Sequence, residues 1–304
     1  PELVSKRSKS GIRYSLRALP IGGFVSMAGE DEHSDDPHAL CNRPKYQRFL
    51  ILFAGAFMNV LLGFIIMLIC VSFSKNLYSN KIESFLVIDE NENIVSEYQG
   101  LKVGDEIISI NGSRLFVRYD YVFSAMRMQD TPCTLTVKRG NETIKIENFV
   151  FPTTVESGIT YGNPAFFIPC EKEKTVLTVI GDTACQTVST VKMVVLSLYD
   201  LITGKYSVES VSGPVGVVSE INKTAQAGIL QVLFLISLIT INIGVFNLLP
   251  FPALDGGRIL FLIFEAIIGR PLNRKTEGFI NLLGFVILLG FIILITFKDI
   301  ISLL

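Results

Sequence analysis

The residues Asn247-Leu248-Leu249-Pro250-Phe251-Pro252-Ala253-Leu254-Asp255-Gly256-Gly257-Arg258 combine two prolines, two glycines and one carboxylate at the end of an uncharged run that begins at Thr224. Proline removes backbone donors and stops or kinks a helix, while paired glycines let other groups approach the backbone closely. Non-helical backbone at membrane depth is tolerated only against protein or a water-filled cavity. A carboxylate placed deep costs about 2.5–3.5 kcal/mol, so it takes a partner such as a cation or a metal. The chemistry open to Asp255 is therefore pairing with a cation or ligation of a metal. The plainer alternative is that it caps a helix beginning near Arg258.

Other candidate ligands are few. His33 and His38 are the only histidines, and they sit in the acidic stretch Glu30-Asp31-Glu32-His33-Ser34-Asp35-Asp36-Pro37-His38. Their i, i+5 spacing across a proline reads as a solvated loop rather than a metal site. No HExxH occurs; that motif would place two imidazoles on one helix face. Cys41, Cys70, Cys133, Cys170 and Cys185 are odd in number and contain no CxxC, which argues against a disulfide framework or a thiolate zinc site. One pair among the last three stays open. A net charge of −1 excludes nucleic acid as the main partner, since phosphate neutralisation needs a basic excess.

The elements that must position Asp255 are mostly membrane helices. The composition is 49% apolar and 18% charged with a mean hydropathy of +0.48, greasier than a soluble enzyme of this size needs. Stretches at 49–74, 224–257 and 278–297, uncharged except for Asp255 at the end of the second, are long enough to cross a bilayer, which takes roughly 20 apolar residues. Arginines and lysines crowd residues 1–48 and the helix and loop at 258–276, so both should face the cytoplasm. The segment between the first two spans is then extracytoplasmic, with Asp255 near the cytoplasmic side. Within it, 78–153 reads as strands joined by turns such as Asn111-Gly112. Residues 175–205 carry apolar side chains at helical spacing with charges interspersed, an amphipathic helix lying on the outer membrane face or packed against the β domain. The expected fold class is a multi-span α-helical membrane protein with an inserted extracytoplasmic β-rich domain.

Two resemblances sharpen this. Gly100-Leu101-Lys102-Val103-Gly104-Asp105-Glu106-Ile107-Ile108-Ser109-Ile110-Asn111-Gly112 looks like the GLxxGDxIxxING run of PDZ domains, which bind extended peptides by strand addition. A purely steric β domain is the alternative. The Asn247–Arg258 string resembles the NxxPxPxxDGG signature of the site-2 protease family, zinc metalloproteases that cut within transmembrane segments. Bacterial members of the RseP type also carry PDZ domains. Tyr14–Met27, Gly55-Ala56-Phe57-Met58-Asn59 with Gly63, and Ser212-Gly213-Pro214-Val215-Gly216 match further family segments in order.

That resemblance implies one zinc ion with Asp255 as a ligand. It also implies Asn247 as the hydrogen-bond donor to the developing oxyanion. Gly22 and Gly23 would form part of a re-entrant hairpin (11–28) offering an edge to unwound substrate, with Asn59 and Pro250 also around the substrate. Its partners would be single-span transmembrane substrates and membrane lipid, in regulated intramembrane proteolysis. The remaining ligands would come from an HExxH helix upstream of Pro1, so this chain alone is expected to be inactive. The rival expectation is a non-catalytic, membrane-anchored PDZ scaffold. An in-frame HExxH encoded upstream of Pro1 separates the two.

Overall fold

The computed structural model describes residues 2–8, 13–18, 25, 27–29, 36, 38–87, 94–156, 159–205, 211, 213–270 and 272–303. The chain divides into two compact units, residues 1–50 and 51–304. In the first, strands β1 (Glu2–Arg7) and β2 (Arg13–Arg17) form an exposed antiparallel hairpin, with Arg13 Nη2 2.7 Å from Glu2 Oε2. The hairpin expected over 11–28 shares only β2 with this one. Gly22 and Gly23 lie outside the described residues.

Helix α1 (Lys45–Phe73) runs from the first unit into the second and passes within a few residues into β3 (Leu77–Phe85). The β domain follows. Its main sheet has the order β12-β3-β6-β8-β9, with β6 (Glu106–Ile110), β8 (Cys133–Arg139), β9 (Glu142–Phe149) and β12 (Phe167–Lys172); β7 (Ser113–Arg114) pairs with β6. Smaller pairs are β4 (Glu97–Tyr98) with β5 (Leu101–Lys102), and β10 (Thr153–Glu156) with β11 (Ile159–Gly162). Asn111 and Gly112 both have positive φ (48° and 76°), the geometry of a tight two-residue hairpin turn between β6 and β7. Asp105 is fully buried and paired with Arg139 at 2.7 Å.

Two features of this domain differ from the sequence reading. Helix α2 (Arg118–Met128) lies among the strands, where only strands and turns were expected. The sheet also closes on β12, beyond the expected limit at 153, because β12 pairs antiparallel with β3 from more than 80 residues away. Phe85, Phe149, Phe151, Phe166 and Phe167 fill the core beneath. Chain entry and exit are thus neighbouring strands. Lys174 seals the junction by donating to the carbonyls of Ser72 (2.8 Å) and Ser74 (2.5 Å) at the C-terminal end of α1, where a cation suits the unpaired carbonyls.

Helix α3 (Val176–Ile202) starts with a Thr175–Thr178 capping box. One face bonds to the β domain through Lys172–Asp182 (3.1 Å), Ser189 to Asp120 (2.7 Å) and a bidentate Arg127–Asp200 pair (2.6 Å). The other buries Val179 and Val194 against Met67, Val71, Ile241 and Val245. This helix therefore packs on both the β domain and other helices. It also brings the helices long and apolar enough to cross a membrane to four among the described residues, Lys45–Phe73, Val176–Ile202, Ile229–Asn247 and Lys275–Ile301, where three were expected. The chain is a membrane protein with a β domain. After α3 come α4 (Pro214–Ala227), α5 (Ile229–Asn247), α6 (Asp255–Ile268) and α7 (Arg274–Leu303).

Candidate active site

Small residues bring α1 and α5 together. A methyl group at Gly63 would lie 2.5 Å from Ile241 Cγ1 and 3.0 Å from the Ser237 carbonyl oxygen. One at Gly244 would lie 2.8 Å from the Ala56 carbonyl oxygen and 3.2 Å from Asn59 Cβ. Gly55, Asn59 and Gly63 recur every four residues, so they share one face of α1. Backbones pack this closely in lipid only through such side chains.

Helix α5 ends at Asn247, and the chain breaks over Leu248–Leu254 before α6 begins. The break is tightly bonded: Leu248 N–H donates to Val245 O (3.0 Å), Phe251 to Leu249 O (2.7 Å) and Leu254 to Phe251 O (3.2 Å). Ala253 holds φ at +75°, a left-handed conformation that an L side chain adopts at a cost. Both glycines after Asp255 are dictated by this fold. A methyl at Gly256 would fall 2.2 Å from Leu249 O, and one at Gly257 2.3 Å from Phe251 O. Helix α7 backs the loop from the other side: Ala253 N–H donates to Asn281 Oδ1 (3.3 Å), and a methyl at Gly284 would meet Pro252 Cβ at 2.5 Å.

Asp255 opens α6 and is half-buried. Its Oδ2 lies 3.7 Å from where a β-carbon on Gly55 would stand, so the carboxylate rests against the small-residue face of α1. The cap position of α6 is Leu254, whose side chain makes no capping bond. The helix expected near Arg258 starts earlier, and Asp255 is its first residue rather than its cap. A carboxylate there is favoured by the positive end of the helix dipole.

The break thus brings Asp255 against α1, with Gly55 and Asn59 on that same face and Asn247 half-buried at the last position of α5. Pro250 is exposed within the loop. His38, in the first unit, has Nδ1 2.7 Å from Arg43 Nη2; His33 lies outside the described residues. Among the described residues no group of three or more His, Cys, Asp or Glu is placed to hold a metal ion. Catalytic zinc takes three protein ligands and an open position. Among the described residues the donor set at this break, one carboxylate, does not fit it. The sequence reading missed Asn281 and Gly284, which fix the loop from α7; their only mark was the interruption of an apolar run.

The model of peptidase family M50 matches residues 1–291. The chain belongs to this family, the site-2 proteases, which are zinc metalloendopeptidases. A protein named as a zinc metalloprotease in Clostridium perfringens is 34% identical over 289 residues, covering 95% of this chain and 83% of that protein. Zinc metalloprotease RasP of Bacillus licheniformis is 32% identical, covering 92% of this chain and 84% of its own length. Regulator of sigma-W protease RasP of Bacillus subtilis is 35% identical over 241 residues, and the chain spans 55% of it.

Proposed function

We propose that the break between α5 and α6 is one wall of the active centre of a zinc protease that cuts single-span proteins inside their transmembrane segments. The observation that carries this reading is the Asp255 carboxylate at a helix break, held against the glycine face of α1. In the full-length protein Asp255 is one zinc ligand, and the metal supplies polarisation of the scissile carbonyl and an activated water. No step is assigned to the metal here. The 304 residues alone are proposed not to cleave.

The chain's own groups do the rest. A helical peptide bond in lipid has its carbonyl already bonded, so the substrate must unwind locally. Asn247 donates a hydrogen bond to the carbonyl oxygen as negative charge develops on it. Asn59 and Pro250 border the substrate, and the 11–28 region with Gly22 and Gly23 offers it an edge. The β domain between α1 and α3 is PDZ-like, lies outside the membrane, and acts as a size filter or docking element. Regions 1–48 and 258–276 face the cytoplasm, which puts Asp255 near that side. The name of the Bacillus subtilis relative places it in a sigma-factor circuit; substrates of this protein are proposed in the same class, membrane-anchored regulators first shortened by another protease.

Asp255→Ala in the full-length protein should abolish cleavage of a single-span model substrate while the protein still reaches the membrane. Near-normal cleavage would remove the ligand assignment.

A further inference from the structure

The string Gly213-Pro214-Val215-Gly216 has a physical purpose that the active-centre reading does not use. Helix α4 begins there with no side chain of its own to cap it: Gly213 is the cap residue and Pro214, at the first helical position, has no N–H. A capping box satisfies two donors, the N–H of the cap residue and the N–H three positions on. Both are taken by one atom from another helix. Asp299 Oδ2, near the end of α7, accepts from Gly213 N–H (2.9 Å) and Gly216 N–H (2.7 Å). Asp299 is only 5% exposed. Gly213 must lack a side chain, because a methyl there would lie 2.6 Å from Ile295 Cγ2 and 2.9 Å from that oxygen. The adjacent Lys298 donates to Val211 O (2.8 Å), two residues before the cap.

The same helix grips the Asp255 loop at its other end, through Asn281 and Gly284. From Gly284 to Asp299 α7 rises about 22 Å, at roughly 1.5 Å per residue. It therefore holds both the start of α4 and the loop that follows α5. We propose that Asp299 is a positioning residue for proteolysis: by capping α4 from α7 it sets the register of α5 against α7, and so aligns Asn247 with Asp255. The proposal rests on the reading of those two residues as members of the active centre. The bonds made by Asp299 are buried, so a side chain without an acceptor oxygen leaves both N–H groups unsatisfied.

The test uses the full-length protein with a single-span model substrate. Asp299→Ala should lower kcat about tenfold to a hundredfold, the penalty of a misplacement of roughly 1 Å remote from the chemistry, with KM within about twofold. Asp299→Asn, whose amide oxygen can occupy the place of Oδ2, should recover most of that loss. In a background without native cysteines, Pro250→Cys should be alkylated several-fold faster with Asp299→Ala and not with Asp299→Asn. Should Asp299→Ala not accumulate in the membrane, Gly216→Pro removes one of the two donors within the first turn and should give a smaller loss in the same direction. Wild-type turnover in Asp299→Ala, equal damage from Ala and Asn, or lost turnover with unchanged alkylation at 250 would each overturn the brace. If Asp255→Ala cleaves normally, the active-centre reading has failed instead; if it is dead while Asp299→Ala is unimpaired, only the brace has failed.

Discussion

Asn247 and Asp255 are eight positions apart in the chain, yet they flank a single helix break, and their roles separate cleanly in kinetics. If Asn247 acts as the proposed oxyanion donor, Asn247→Ala should lower kcat by about 100-fold and leave KM nearly unchanged. Steady-state cleavage of a single-span substrate in detergent reads both constants, and a change confined to KM would assign Asn247 to ground-state binding instead. In the β domain the residue-scale test is chemical. Cys133 is 3% exposed, its Sγ donates to Phe149 O (3.3 Å), and burial pushes its thiol up to about 11. At pH 8 it should resist alkylation in the folded protein and react on unfolding. Because the folded state holds this proton more tightly than the unfolded one, the stability it confers falls once pH rises past the ordinary thiol value of about 8.5. Fast labelling of native Cys133 would contradict the packing of β8.

Among the elements, the loop between α5 and α6 is kept by what its neighbours lack. Gly284→Leu places a side chain into the backbone of Pro252, so α7 or the loop has to move. Cleavage should fall by at least about tenfold while membrane insertion is unchanged, since overpacking of this kind costs roughly 1–3 kcal/mol. Retained activity would mean that α7 does not support the loop. Much of this element scale was legible in the residues. The apolar runs marked α1, α5 and α7, and the prolines and glycines marked the break before Asp255. What was not legible shares one cause, long-range partnership. β12 contains Pro169 and reads as a weak strand until β3 pairs with it; α2 is stabilised by packing rather than by its own pattern; Asp299 looks like a terminal charge until Gly213 and Gly216 meet it. Gly22 and Gly23 fall outside the described residues, so their role stays a proposal.

At the scale of the whole molecule, side-chain pairs along α3 tie the β domain to the helices. Arg127 and Asp200 form a buried pair, 17% and 2% exposed at their side chains, between α2 and the end of α3. Asp200→Ala leaves the guanidinium buried and unpaired, at a cost of about 3 kcal/mol, whereas replacing both by leucine should recover most of it; resistance of the β domain to limited proteolysis measures the difference. Phe85 and Phe167 are direct neighbours across β3 and β12. Replacing residues 86–166 by an Asn-Gly turn should therefore leave a closed hairpin on α1 and α3. If the removed domain acts as the proposed filter, that protein should still hydrolyse model substrates but accept ones the intact protein rejects; complete loss in a well-expressed protein would argue that the domain is part of the catalytic machinery. The central claim is that Asp255 grips a metal whose other ligands reach it within the assembled protein. Zinc content of the purified full-length protein tests it most directly: the account predicts about one zinc per chain in the wild type and a large loss in Asp255→Ala. An unchanged zinc content in a folded Asp255→Ala protein would contradict it.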